Sequence, residues 1–242
     1  EQTLSECGFE KTGYTFAGWT RNAEGTDLAG ITANGDGSYS AFNLTTENGA
    51  TVTLYAQWKA NTYTVTFNAN GGNGTMNSVT YTYDVSYNLP ANTFTKTGYS
   101  FVGWATSENG EVVYQDSQNV VNLSSVEGEI ITLFAKWSVN KYTTTFDAND
   151  GKFSDDSTTK EIEQTFDDKY ILPEDPTRVG YTFAGWKLND ATIDENTNVS
   201  TASDHTLVAN WNVNSYLFTI DDLLIVDDTY HTIENSFVMT DE

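Results

Sequence analysis

Two histidines, one cysteine and 34 acidic side chains are the groups in this 242-residue sequence from which catalysis or metal binding would have to be built. His205 and His231 stand outside any Gly-x-Ser-x-Gly or His-Glu-x-x-His frame, so neither comes with a nucleophile or a metal partner at a useful spacing. Asn34-Gly-Asp36-Gly-Ser38 and Asp155-Asp156 have the flavour of a calcium loop. Calcium needs about six to eight oxygens, and an EF-hand closes on a bidentate Glu twelve positions on, which is missing here. Both read better as solvated turns. Cys7 is the lone cysteine; it has no internal disulfide partner, fits no zinc spacing and reads as an incidental small residue. Carboxylate pairs for glycoside hydrolysis are numerous among so many acids, and nothing distinguishes any one pair. A Lys–Asn isopeptide bond would need a buried lysine beside an acid. Leu89-Pro90-Ala91-Asn92-Thr93 lacks the threonine and final glycine of a sortase signal. The expectation is a protein that is not an enzyme, with no catalytic, metal or cofactor residues.

The charge balance excludes further classes. Eleven basic residues against 34 acidic ones leave a formal net charge of -23. Binding to nucleic acid or anionic lipid needs clustered Lys and Arg, so neither partner is expected. The longest purely apolar run, Leu223–Val226, is far short of the roughly 18 residues of a membrane helix, so no membrane insertion is expected. With no Met at the start, the sequence reads as a fragment, a processed chain or an ordered portion.

Six tryptophans remain, and their spacing reveals the elements that hold them. Gly13-Tyr-Thr-Phe-Ala-Gly-Trp19 recurs as Gly98-Tyr-Ser-Phe-Val-Gly-Trp104 and Gly180-Tyr-Thr-Phe-Ala-Gly-Trp186, at intervals of 85 and 82 residues. A second motif follows each: Leu54-Tyr-Ala-Gln-Trp58, Leu133-Phe-Ala-Lys-Trp137 and Leu207-Val-Ala-Asn-Trp211. A third follows those: Tyr63–Phe67, Tyr142–Phe146 and Tyr216–Ile220. Three motifs recurring three times in one order define a tandem repeat. Their apolar residues alternate with period 2 and favour strands. Tyr63, Val65 and Phe67 are expected to face a core, with Thr64 and Thr66 outward; Leu133, Ala135 and Trp137 share a face. The Gly beside each first Trp predicts a bulge or a close backbone approach. Asn70-Gly71-Gly72-Asn73-Gly74 and Asn149-Asp150-Gly151-Lys152 supply hairpin turns. Leu4 and Phe9 stand in register with Leu89 and Phe94. Short helical turns are expected around 41–48 and 119–127.

These motifs resemble the Listeria–Bacteroides repeat, the B-repeat of internalin-type surface proteins. Its pattern, Tyr-x-Val-x-Phe-x-x-Asn-Gly-Gly, then Pro-x-Lys-x-Gly-Tyr-x-Phe-x-Gly-Trp, then Leu-Tyr-Ala-x-Trp, is matched by Tyr63–Gly72, Lys96–Trp104 and Leu133–Trp137. It is matched again in the other copies, over about residues 4 to 220. The resemblance implies a β-rich α+β fold: tandem β-grasp-like (ubiquitin-like) repeats in an elongated array. It also implies an extracellular location on a bacterial surface or in secreted form, and a spacer or adhesive role.

The expected organisation is a first repeat at 1–60 lacking its opening hairpin, a second at 61–138 and a third at 139–212. Residues 213–242 follow as a hairpin-like segment. That segment reads as the start of a fourth repeat, as a hairpin packed within its own chain, or as one donated to another molecule. The tryptophans are expected to be core. The segments between the paired Trp motifs, of 38, 32 and 24 residues, vary in length as surface loops do, and carry Tyr39 and Tyr114. Three functions follow as expectations: a spacer or adhesion module; a binder of glycan or host protein through those loops; or a filament subunit joined head to tail. Partners are accordingly further copies of the chain, a host or surface protein, or a glycan.

Overall fold

The computed structural model describes residues 2–215. The expected C-terminal segment lies almost wholly outside them, including its hairpin at 216–238. Two compact units are present. Among the described residues, one comprises residues 2–96 and 101–138; the other comprises residues 97–100 and 139–215.

In the first unit, β1 (Gln2–Thr3), β4 (Ser38–Ala41) and β3 (Ile31–Asn34) form one small antiparallel sheet, and β2 (Tyr14–Thr20) pairs with β5 (Tyr55–Ala60) in another. A larger sheet has the order β7 (Val79–Thr82), β6 (Thr62–Asn68), β11 (Ile130–Val139), β9 (Tyr99–Ala105). β6 and β7 are the hairpin expected around the Asn-Gly-Gly turn. β11 then returns parallel to β6, placing Leu133 beside Phe67 and Ile131 beside Val65. β8 (Tyr87–Asn88) and β10 (Asn119–Val120) make a short extra pair.

The second unit repeats this plan more fully. Its five-stranded sheet runs β13 (Thr159–Thr165), β12 (Lys141–Asp147), β16 (His205–Val213), β14 (Tyr181–Leu188), β15 (Ala191–Ile193). Counted along the repeat, the order is second, first, fifth, third, fourth, with the first and last strands parallel at the centre.

The period-2 faces are buried as the alternation predicts. Tyr63, Val65, Trp104, Leu133 and Ala135 form one core, and Phe146, Trp186, Leu207 and Ala209 form another. Among the described residues there is no helix, which corrects the expected helical turns and with them the α component of the fold. The cause is local. Asn43 and Asn122, each at the centre of the matched Phe-Asn-Leu and Val-Asn-Leu triplets, sit at φ +49° and +54°. A residue held in the left-handed region interrupts a right-handed helical turn before it can nucleate.

Two glycine positions are dictated by sterics. At Gly18 and Gly185 the pairing register shifts by a bulge, at φ +144° and +98°, as the Gly-Trp dipeptides predict. Gly72 and Gly151 stand under the second Trp of their own repeats. A Cβ there would lie 2.7 Å from Trp137 and 2.6 Å from Trp211. The turn glycine and the distant Trp are therefore one packing unit.

Candidate functional site

A linkage recurs at the end of each Trp motif. β5 ends at Ala60 and β6 begins at Thr62, with only Asn61 between them; β11 and β12 are likewise separated only by Asn140. The Asn61 N–H donates to the Gly13 carbonyl at 2.9 Å, and the Thr15 hydroxyl donates to the Asn61 side chain at 2.6 Å. Asn140 repeats both bonds with Gly98 and Ser100, at 2.9 and 2.7 Å. Asn214 repeats both with Gly180 and Thr182, at 2.8 and 2.6 Å.

The opening hairpin that follows closes over the same place. Tyr83 N–H donates to Asn61 O, and Phe166 N–H to Asn140 O. The rings of Tyr83 and Phe166 lie against Gly13 and Gly98, where an added Cβ would come within 2.2 and 2.1 Å. Tyr14 donates its hydroxyl hydrogen bond to Asp84 at 2.8 Å, and Tyr99 to Asp167 at 2.9 Å. Donation to a carboxylate pushes both tyrosine pKa values up. The Asn122 amide first, and then Tyr14, hold the Asp84 carboxyl below the usual aspartate range. Sequence reading passed over these asparagines and aspartates. The available signal was an Asn three residues after each Trp of the second motif.

The six tryptophans divide. Trp104 and Trp186 are sealed, at 0% and 1% exposure. Trp137 and Trp211 are partly buried and donate their indole N–H to the Ala69 and Ala148 carbonyls. Trp19 and Trp58, in the first repeat, are half-buried. Trp19 borders two open clefts. One, of about 450 Å³, is also lined by Leu4, Cys7, Phe16 and Tyr39; the other, of about 400 Å³, by Leu28, Ile31 and Tyr39.

The remaining candidates make local contacts. The Tyr39 hydroxyl donates to Ala17 O, while Tyr114 bridges to Trp104 through the backbone. Asp36 accepts from the Ser38 N–H and hydroxyl, and Asp155 does the same with Ser157; those donors depress both carboxyl pKa values. Each is thereby a turn that satisfies itself. His205 accepts at Nε2 from Tyr170 at 2.7 Å, with Thr144 at 3.1 Å, while Nδ1 faces Ser203 O. His231 lies outside the described residues. None of the described lysines is buried. Among the described residues no three His, Cys, Asp or Glu side chains converge, and no helix is long and apolar enough to cross a membrane.

The Listeria-Bacteroides repeat domain model matches residues 1–57, 63–136 and 142–210. The chain belongs to this family. It is similar to two proteins of Evansella cellulosilytica. One is named as a Gly-rich membrane protein, 32% identical over 85% of the chain and 22% of that protein. The other is named as a membrane protein, 31% identical over 86% of the chain and 28% of its length. It is also similar to Internalin H of Listeria monocytogenes, 29% identical over 69% of the chain and 31% of that protein. The chain thus spans between about a fifth and a third of these relatives.

Proposed function

We propose that this chain is a non-catalytic segment of a bacterial cell-envelope protein, exposed outside the cell, in which β-grasp-like repeats serve as a spacer or adhesion module. The second-first-fifth-third-fourth strand order of the third repeat, with its central parallel pair, supports the β-grasp reading. The repeats we assign are 1–60, 61–138 and 139–212. The relatives named as membrane proteins and as an internalin support the envelope location.

One observation carries the spacer reading: the recurrent polar residues are consumed in holding the chain to itself. Asn61, Asn140 and Asn214 lock onto Gly13, Gly98 and Gly180 with the same two hydrogen bonds. At Asn61 and Asn140 the single residue between two strands is held by both its side chain and its backbone. Stability then accumulates unit by unit, as in other tandem arrays. Small-angle scattering on the whole chain tests this. An extended profile is expected, and a compact globule would overturn it.

The clefts beside Trp19 and Tyr39 favour a second reading, a glycan- or host-protein-binding module, because an aromatic face suits a sugar ring. Glycan arrays and pull-downs that stay blank would remove it.

A further inference from the structure

Five Asn-Gly dipeptides occur in the sequence: Asn34-Gly35, Asn48-Gly49, Asn70-Gly71, Asn73-Gly74 and Asn109-Gly110. The pair carries its own chemistry. Asparagine is a labile residue, and a following glycine has no Cβ to keep its amide nitrogen away from the asparagine Cγ. For that nitrogen to attack, the side-chain amide must be free to rotate, the glycine N–H must be unengaged and the backbone must have room to turn. All five sites share the same dipeptide, so the fold decides which of them react.

Most of them are held. Asn34 donates from Nδ2 to the Ser38 and Ser40 hydroxyls at 2.8 and 3.1 Å. Asn70 sits at φ +48° and donates from Nδ2 to the carbonyls of Glu108 and Ala135, each at 3.0 Å. Asn149 makes the same bond to Ala209 in the third repeat, so this grip belongs to the repeat. The backbone of Asn73 is fixed by a bridge: its N–H donates to Thr95 O at 2.7 Å, and the Thr95 N–H donates back at 3.0 Å. Asn109 is exposed, but the nitrogen that would attack it is occupied, because the Gly110 N–H donates to Ser107 O at 3.1 Å.

Asn48 differs from all of these. It is exposed, and its side chain makes no hydrogen bond among the described residues. The turn that holds it is closed by its neighbours rather than by the reacting groups: the Ala50 N–H donates to Glu47 O. At 3.4 Å that bond is longer than the usual range of about 2.7–3.2 Å, so the turn is loosely tied. The Gly49 N–H has no acceptor among the described residues. Gly49 sits at φ +75°, and nothing lies within 4 Å of where its Cβ would be. Free amide, free nucleophile and open space therefore coincide at this site.

We propose that Asn48 is a site of spontaneous covalent modification, deamidation through a succinimide. The Gly49 nitrogen gives its proton to solvent base and bonds to Cγ of Asn48. The Cγ–Nδ2 bond breaks, and Nδ2 leaves as ammonia. One solvent water then opens the ring. Breaking the new Cγ–N bond yields aspartate; breaking the original peptide bond to Gly49 yields isoaspartate, whose main chain runs through Cβ and Cγ. Nothing is oxidised or reduced: an amide and a water become a carboxylate and an ammonium ion. Either product adds a negative charge beside Glu47 to a chain already at -23. Isoaspartate also lengthens the backbone of the segment that joins the two Trp motifs of the first repeat. The altered fraction grows with the age of the molecule and needs no enzyme. This inference goes beyond the spacer reading and does not depend on it.

The test uses the whole chain, kept folded in mildly alkaline buffer and sampled over days. Peptide mapping by mass spectrometry, with chemical detection of isoaspartate, follows each Asn-Gly site. Asn48 should convert first. Asn34 and Asn70 should lag it by at least about tenfold, because their hydrogen bonds must break before the ring can close. Asn73 and Asn109 should also lag. In denaturant those restraints vanish, and all five sites should react at similar rates. Asn48→Gln should abolish the first charge-shifted species on a native gel, since the longer side chain disfavours the five-membered ring. An Asn48 that stays intact in the folded chain while reacting in denaturant would overturn the proposal. So would another site reacting ahead of it, equal rates at all five in the folded chain, or a charge-shifted species that persists in Asn48→Gln.

Discussion

The hydroxyl of Tyr14 donates to the carboxylate of Asp84 at 2.8 Å, joining residues 70 positions apart in sequence. It ties the Gly-Tyr motif of one repeat to the opening hairpin of the next. Tyr99 and Asp167 reproduce it, so the bond is part of the repeat rather than an accident of one turn.

This bond makes the joint sensitive to both ends of the pH scale. Asp84 is held below its ordinary pKa, chiefly by Asn122 and then by Tyr14. Its contribution is thus present above the unfolded aspartate value, about 3.9, and is lost as pH falls through the lower folded value. Tyr14 is raised by donating to Asp84. Its contribution is whole below about 10 and is lost as pH climbs through the raised folded value. Amide exchange at Asn61 and Tyr83, whose N–H groups close the joint, is the measurement. Compared at equal pH, Tyr14→Phe should exchange faster than wild type near neutrality, and the difference should shrink in acid. Equal protection throughout would mean that the bond contributes nothing.

Gly98 is predicted to tolerate no side chain. It sits at φ +75°, and a Cβ would lie 2.1 Å from the Phe166 ring. Alanine in the left-handed region costs about 1–2 kcal/mol before any clash, so Gly98→Ala should destabilise the second unit by about 2–3 kcal/mol. Two residues in contact couple, so Gly98→Ala with Phe166→Leu should lose less than the sum of the two single changes. Denaturant melts of the four proteins decide this, and strict additivity would refute the contact.

The two kinds of tryptophan should differ in cost. Trp104→Ala empties a sealed site and should destabilise its repeat by about 3–5 kcal/mol. Trp19→Ala removes a ring that is already half in water, and should cost only about 1–2 kcal/mol. Exchange protection of β9 and β2 in the two variants would separate them. Equal losses would mean that Trp19 is as well packed as its counterpart.

Much of this was legible in the residues. Tyr63, Val65 and Leu133 alternate with polar neighbours, and burial of one face follows directly from a pleat of period 2. The Gly-Trp bulges follow from the absence of a Cβ. What stayed hidden depends on long-range geometry. Asn122 looked compatible with a short helix because nothing local says that its side chain caps the Asp84 N–H from 38 residues away. Trp19 and Trp104 carry the same motif, yet Trp104 packs against Phe67, Phe94 and Phe101 and is sealed, while Trp19 is half-buried. No pattern within either motif encodes that difference.

His205 offers the last test, because its surroundings have an apolar equivalent in the same chain. The register places Thr144 opposite His205 where the second repeat has Val65 opposite Ile131. The polar pair is satisfied by Tyr170, which donates to His205 Nε2 at 2.7 Å, with Thr144 within hydrogen-bonding distance of the same nitrogen. Thr144 and Tyr170 are buried, so His205→Ala leaves their hydroxyls without an acceptor and should cost about 1–3 kcal/mol. Replacing every partner removes that penalty. Thr144→Val, Tyr170→Phe and His205→Ile together should return stability to near or above wild type, since apolar groups of matching shape need no hydrogen bonds. Thermal unfolding of the single and triple variants is the check. A triple variant no more stable than His205→Ala would mean that the third repeat depends on this network for more than satisfying its own hydroxyls.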